Sequence, residues 1–465
     1  MNRGTSKKYS DIWLLLGKLL HFLLTVLAFS GCLCFVREDS LGLTADFWQE
    51  NWYFVLSFAA VFWFLLRTYN AYLLGFTRRR VLLLELFLAQ LIPSMLLLLV
   101  SLLLGDGPRC FAYFLLLAAF LLLDLVFTLA GTKLYRLWNP LKKALLLYRR
   151  EADLLRISEL DSNPFRQLYR MEDKIRIEGE SFPELEKKLA DYEAVFVAGI
   201  DSSLRNGIAK YCAEHNIAGF FLPHLGDILL QGAQHIPSIM QPVMYLSRKH
   251  ERPEYLLIKR LFDIMVSLLG ILLTLPVMLI LALCIKLEDG GRVFYRQTRL
   301  TKNGREFSIC KFRSMRENAE ADGKAVLAAK EDSRITRVGA IMRRFRLDEL
   351  PQLFNILQGD MTIVGPRPER PELAEEIYRS LPEFKLRLQV KAGLTGYAQV
   401  YGKYSTENYE KLEFDLLYIN RMSILTDLKI MAATVVILFR KESSEGTGPE
   451  AETHFTETAE ERRPE

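Results

Sequence analysis

The sequence predicts a membrane α plus α/β chain in three parts. These are a four-helix transmembrane anchor, a degenerate Rossmann-like middle domain, and an α+β domain with a re-entrant membrane helix. Three observations predict this. Half of the 465 residues are hydrophobic although a quarter are charged, and the apolar excess is concentrated in the first third. Between about residues 151 and 248 the composition turns ordinary, and two short apolar runs there flank a helical pattern. A last long apolar segment then opens a region dense in arginine. This composition excludes a disordered chain, a collagen-like repeat and a small disulfide scaffold. The 60 basic and 55 acidic residues nearly cancel to +5, which argues against nucleic acid as a partner and requires any cationic function to be local. None of the six cysteines forms a Cys-x-x-Cys pair, so neither a zinc site nor a disulfide frame is indicated.

The anchor occupies residues 1–145. Leu- and Phe-rich stretches at 12–36, 52–66, 81–104 and 111–130 are its spans, the second short and the others near the ~20 residues that a helix needs to cross a bilayer. Arg3, Lys7 and Lys8 precede the first as they would a signal peptide, but its length and the three following spans favour an anchor. Positive charge collects before the first span, at Arg78, Arg79 and Arg80, and at Lys133, Arg136, Lys142 and Lys143 after the fourth. By the positive-inside rule both ends of the anchor, and all that follows, face the cytoplasm. Lys18, Glu85 and Asp124 lie inside the spans, where snorkelling or mutual pairing is the plain reading and a transport pathway the sharper one.

The middle domain covers residues 146–250. "AVFVA" at 194–198 and "IAGFFL" at 217–222 read as buried strands, and 203–214 has helical spacing, giving a strand, helix, strand unit with a parallel crossover. The turn "GIDSSLRNG" lacks the Gly-x-Gly-x-x-Gly that lets a pyrophosphate approach the backbone, so regulation or assembly is the expected role rather than dinucleotide binding.

The third domain covers residues 251–440. Its apolar segment at 261–285 is long enough to span, yet Lys259, Arg260, Lys286 and Arg292 flank it on both sides. Pro276 near its middle removes a backbone hydrogen bond, with Thr274 close enough to satisfy a freed carbonyl. A helix broken there can enter one leaflet and return to the same face, whereas an ordinary fifth span would place everything downstream on the other side. Eight basic residues and one acid follow between Arg292 and Arg316, among them Arg296, Arg299, Lys311 and Arg313. Such a surface suits a diphosphate or lipid phosphate, because arginine forks bind phosphate oxygens in pairs, and it equally suits anionic head groups.

Farther on, Arg343, Arg344, Arg346, Asp348, Glu349, Arg367 and Arg370 fall in one region. Asp348 and Glu349 are adjacent, which points them about 100° apart on a regular helix and suits separate roles better than a facing acid/base pair. One carboxylate can attack phosphorus while the other holds a divalent cation. The plainer reading makes Asp348 an N-cap, Glu349 a first-turn acid and Pro351 an early helical residue. Pro366 and Pro368 enclose Arg367 in "GPRP", a rigid turn that fixes the arginine with little entropy left to lose.

Six motifs stand in order: "KRLFDIMVSLLG" at 259–270, "KLEDGGRVFYRQTR" at 286–299, "KFRSMRENAE" at 311–320, "LDELPQLFN" at 347–355, "VGPRP" at 364–368 and "GLTGYAQV" at 393–400. In this order they resemble the bacterial sugar transferases, polyprenol-phosphate phosphoglycosyl transferases with a re-entrant helix, over roughly residues 255–440. The anchor and middle domain resemble the large subgroup that starts polysaccharide assembly. Arg292 and Ala392 stand where that family often has proline, which bears on local substrate contacts.

The resemblance implies transfer of a sugar-1-phosphate from a UDP-sugar to undecaprenyl phosphate, releasing UMP, in exopolysaccharide, capsule or O-antigen synthesis at the bacterial inner membrane. It implies Asp348 as nucleophile, forming a phosphosugar ester, and Glu349 as the Mg2+ ligand. Arg296, Arg299, Lys311, Arg313, Arg346 and Arg367 would hold phosphates. Amphipathic spacing at 409–418 and 424–439 suggests helices on the membrane surface, and the acidic segment 441–465 reads as disordered. Four spans and an extra domain are compatible with a homodimer. The alternatives are an inactive membrane scaffold or regulator of polysaccharide export, and a transporter built on Lys18, Glu85 and Asp124.

Overall fold

The computed structural model describes residues 3–38, 45–69, 71–72, 74, 79–103, 110–161, 168–237, 242–246, 253–316, 334–402 and 407–438. They form two compact units, Met1–Pro223 and His224–Glu465. The segment expected to be disordered, 441–465, lies outside the described residues.

In the first unit the apolar runs form α1 (Arg3–Glu38), α2 (Ala45–Thr68), α3 (Arg79–Leu103) and α4 (Cys110–Trp138). A helix satisfies every backbone group internally, as lipid demands. Phe58, Phe62 and Phe120 are fully buried between the helices, while Trp13, Leu56, Phe114 and Leu122 face outward. Ile12–Phe35, Asn51–Thr68 and Ala112–Trp138 are long and apolar enough to cross a bilayer, as is the Pro253–Asp289 helix of the second unit. The chain is a membrane protein.

A polar network ties this bundle together. Asp124 Oδ1 lies 3.0 Å from His21 Nε2 and accepts a 2.8 Å hydrogen bond from Gln90 Nε2. The other imidazole nitrogen, His21 Nδ1, meets the Tyr72 hydroxyl at 3.1 Å. Asp124 is thus paired rather than snorkelling, through His21 and Gln90, two polar residues inside the apolar runs. Removing one partner of a buried pair leaves the other uncompensated. Asp124→Ala is expected to destabilise the bundle by roughly 1–3 kcal/mol, read as a lower melting temperature in detergent.

After α4 the chain enters a parallel sheet of β1 (Lys142–Tyr148), β2 (Tyr169–Arg176), β3 (Ala194–Ala198) and β4 (Ala218–Phe221), in the order β2-β1-β3-β4. Helices α5 (Glu151–Asp161), α6 (Phe182–Leu189) and α7 (Ser202–Glu214) make the crossovers. The expected strand, helix, strand unit is β3-α7-β4. The sequence reading missed β1, whose "ALLL" core reads as a continuation of the apolar anchor. A Cβ on Gly199, at the end of β3, would fall 2.0 Å from Asp153 Oδ2. The Asp153 side chain therefore closes the space beside the turn that follows β3.

The second unit opens with α8 (Leu225–Gln231) and a hairpin of β5 (Gln234–Pro237) and β6 (Pro242–Tyr245). Next comes the long α9 (Pro253–Asp289), followed by the antiparallel hairpin β7 (Phe294–Leu300) and β8 (Glu306–Phe312). The remaining elements are α10 (Arg337–Arg344), a 3-10 turn (Leu347–Glu349), α11 (Gln352–Gln358), β9 (Thr362–Val364), α12 (Pro371–Ser380), a 3-10 segment (Pro382–Gln389), β10 (Gly393–Thr395), α13 (Tyr397–Tyr401), α14 (Asn408–Asn420) and α15 (Ile424–Leu438). Their core gathers Phe307, Ile309, Ile356, Met361, Phe384 and Leu416. The membrane-surface role expected for 409–418 does not hold for α14. Leu412, Leu416 and Ile419 are buried in the core, and Asp415 beside them is neutralised by Arg387 at 2.8 Å.

Helix α9 is fastened to this unit at both ends. Near its start Lys259 Nζ donates to Val364 O at 3.1 Å and pairs with Asp427 at 2.7 Å. Arg260 caps the end of α11 by donating to Ile356 O and Leu357 O, and Asp263 accepts from Thr362 Oγ1 and Ile363 N. At its far end Glu288 accepts from the first amides of α10, Arg337 N and Val338 N, where a carboxylate complements the helix dipole. Asp289 pairs there with Arg313. Ser267, Met278 and Ile285 continue the buried face, while Leu272, Leu283 and Leu287 opposite are 70%, 60% and 76% exposed. The expected break at Pro276 does not interrupt the helix. Nor does Thr274 serve the Leu272 carbonyl that Pro276 leaves without a donor, since its hydroxyl donates to Gly270 O at 2.7 Å.

Candidate active site

The site is assembled from β8, the turn that follows α10, and the loop after β9. In β8 the alternation of strand side chains buries Phe307 and Ile309 and sends Lys311 to the same side. Asn355 of α11 binds the open edge of that strand like a neighbouring strand. Its Nδ2 donates to Ser308 O at 2.8 Å and its Oδ1 accepts from Cys310 N at 2.9 Å. This fixes the dyad beside Lys311. The turn itself starts from Arg346, whose φ of 53° is left-handed, a conformation that costs a non-glycine residue ~1–2 kcal/mol. The N-cap reading of Asp348 is not what forms. Asp348 and Glu349 occupy a separate 3-10 turn, and Pro351, not an acid, precedes α11.

The third component, "GPRP", is held by backbone contact. Gly365 N donates to Thr395 O and Gly393 N donates to Pro366 O, both at 2.8 Å. A Cβ on Gly393 would lie 2.1 Å from Gly365 N, and one on Gly396 2.3 Å from Gly365 O. The glycines of "VGPRP" and "GLTG" are there because the two chains touch. From behind, Arg387 Nη2 donates to Arg367 O at 2.8 Å while its charge is balanced by Asp415 and Glu369. Arg299 Nη1 donates to Pro368 O at 3.1 Å.

Glu349 Oε1 receives Arg367 Nη2 at 2.8 Å and Lys311 Nζ at 3.2 Å. Burial acts to raise its pKa, but Arg367 and Lys311 overcome it and hold the carboxyl far below the usual range. Asp348 moves the opposite way, raised by burial and by the Glu349 charge, with Lys311 and Arg343 only partly offsetting this. The glutamate is thus a fixed anion and the aspartate a more basic carboxylate. Arg367 is held protonated by Glu349. Burial lowers Lys311 and Arg346 despite Glu349. Arg299 is lowered by burial to about 10.

Of the sequence-predicted residues, Lys311, Arg346, Asp348, Glu349 and Arg367 come together. Arg299, Pro366 and Pro368 support the Arg367 loop. Arg296 lies across the hairpin from Cys310, and Arg313 is engaged with Asp289 at the end of α9. Lys259, Arg260, Asp263, Asn355 and Arg387 were missed. The first three had a signal, since charges four apart entering an apolar helix imply buried partners. The sequence reading treated two of them as flanks.

Among the described residues no cluster of three His, Cys, Asp or Glu side chains forms a metal cage. The Asp348 and Glu349 oxygens nevertheless fit Mg2+, which commonly binds through one or two carboxylates completed by substrate phosphates.

Adjacent carboxylates ringed by cations thus lie on the unit of this membrane protein that carries a long apolar helix. The chain belongs to the bacterial sugar transferase family, whose profile matches residues 254–441. It is 42% identical over 186 residues to a UDP-N-acetylgalactosamine-undecaprenyl-phosphate N-acetylgalactosaminephosphotransferase of Aeromonas hydrophila, covering 39% of this chain and 44% of that protein. It is 45% identical over 183 residues to a UDP-glucose:undecaprenyl-phosphate glucose-1-phosphate transferase of Klebsiella pneumoniae, covering 38% and 39%. To the exopolysaccharide production protein PSS of Rhizobium leguminosarum bv. phaseoli it is 41% identical over 189 residues, 39% of this chain and 94% of that protein. The match thus spans less than half the length of the first two relatives.

The glycine contacts are directly testable. Gly393→Ala should lower thermal stability by about 2–3 kcal/mol, because the clash is with backbone that cannot repack, and should do so without touching any charged group.

Proposed function

We propose that the chain transfers a sugar-1-phosphate from a UDP-sugar to undecaprenyl phosphate, initiating synthesis of an exopolysaccharide, capsule or O-antigen. The observation that carries this reading is the divergence of the two adjacent carboxylates. Asp348 is made more basic by burial and by the neighbouring Glu349 charge, which Lys311 and Arg343 only partly offset, while Glu349 is held ionised by Arg367 and Lys311.

An Asp348 carboxylate oxygen attacks the phosphorus that bears the sugar. The bond from that phosphorus to the bridging oxygen breaks, UMP leaves with the electron pair, and a phosphosugar-aspartyl ester remains. A phosphate oxygen of the lipid then attacks the same phosphorus, returning Asp348 as a carboxylate and giving undecaprenyl-diphosphate-sugar. Arg367, Lys311 and Arg346 hold the phosphate oxygens. Mg2+, when bound at Glu349, supplies charge neutralisation of those oxygens. Arg387 and Arg299 keep Arg367 oriented through backbone carbonyls.

The lipid acceptor gives α9 its role. Both ends of α9 bind one folded unit and its outward face is apolar along its length, which supports a helix that enters the cytoplasmic leaflet of the bacterial inner membrane without crossing it. Single cysteines at positions 254 and 292 should both be labelled from the cytoplasmic side. Labelling from opposite sides would mean a crossing helix.

Asp348→Asn should abolish UMP release from a UDP-sugar with undecaprenyl phosphate present, with no labelled ester trapped when the lipid is withheld. Because the raised group is Asp348, activity should be present above its folded pKa and lost as pH falls through it. The acid limb of kcat/KM should therefore lie above the range of an ordinary aspartate, and Glu349→Gln should not move that limb upward.

A further inference from the structure

Glu349 is the expected metal ligand, yet its Oε1 is already taken by two cations. The surroundings make this consequential. Lys311, Arg346 and Arg367 act on Glu349, and Arg343 on Asp348, so four cationic side chains surround two carboxylates. A bare divalent cation approaching Glu349 meets an excess of positive charge and must compete with an ammonium and a guanidinium for the same oxygen. The lysine is largely enclosed, with 18% of its side chain exposed, so little solvent screens it, while the Arg367 side chain is 43% exposed and so open to a ligand arriving from solvent. A diphosphate brings negative charge that reverses the balance and offers oxygens to the same two cations.

Resting on the transferase reading, we propose that Lys311 and Arg367 act as a charge gate on Glu349. They block bare Mg2+, and a nucleoside diphosphate opens the site by drawing both cations onto its own oxygens. Metal and donor then bind synergistically, and the linkage is reciprocal. The gate also follows from the chemistry of the two cations. The guanidinium can pass from a carboxylate to a phosphate without changing its fork geometry, and the ammonium is a point charge indifferent to which oxygen it meets.

The test is Mn2+ binding to the full chain in detergent, followed by loss of the free-ion electron paramagnetic resonance signal, with and without UDP and with the Mn2+–UDP complex in buffer subtracted. The wild type should bind bare Mn2+ weakly and at least tenfold more tightly with UDP, a coupling within the usual allosteric range. Arg367→Gln and Lys311→Gln should bind bare Mn2+ several-fold more tightly than wild type while binding UDP more weakly, so that the enhancement by UDP shrinks. Opposite movements of the two affinities are not what general disruption of the fold produces, since that weakens both. Glu349→Gln should remove the bare-metal site. Tighter bare binding with a smaller UDP enhancement in at least one charge variant supports the gate. Bare affinity unchanged or weaker in both overturns it, even if the wild type turns over UDP-sugar normally. Failure of the wild type to release UMP from any UDP-sugar would instead defeat the transferase reading, and the metal titrations would still decide the gate.

Discussion

A carboxylate withdrawn from water and held by two cations organises the second unit. Glu349 is partly buried, and burial acts to raise its pKa. It stays charged because Lys311 and Arg367 arrive from different parts of the chain, one on a strand whose edge Asn355 occupies and the other on a loop fixed by glycine contacts. Four polar contacts hold the loop that carries Arg367. Lys259 and Tyr418 hold Val364 O at the root of the Arg367 loop, Arg387 holds Arg367 O, and Arg299 holds Pro368 O. Each is a charged or hydroxyl group satisfying a backbone carbonyl that the short strands β9 and β10 leave unpaired.

That dependence explains which parts of the site were legible in the sequence. Asp348, Glu349 and Arg367 stand in recognisable motifs, and so does Lys311. What spacing could not show is that the dyad sits in a 3-10 turn, because the left-handed backbone at Arg346 is imposed by the packing of α10 against α9 and β8 rather than by local preference. Arg387 and Asp415 were illegible for a similar reason. They are far apart in sequence, and each looks like an ordinary surface charge until the fold buries both. Asn355 stands inside the "LDELPQLFN" motif, but a strand-edge mimic is recognisable only once a strand lies beside it.

The same logic applies to the anchor and the sheet. Long apolar runs forced helices α1 to α4, and the composition found them. The pairing of His21 with Asp124 was invisible, because an imidazole among leucines carries no pattern of its own. Strand β1 is hard to tell from the end of the anchor because a buried central strand has no polar alternation to distinguish it from a membrane segment.

Helix α9 has a consequence for how the protein meets lipid. Its outer flank is greasy from Leu261 through Leu287, whereas its inner flank is bolted to the rest of the second unit by charged contacts at both termini. Attachment is therefore built into the second unit itself. Deleting the entire N-terminal bundle would leave a truncated protein that high salt cannot wash from vesicles and only a surfactant can extract.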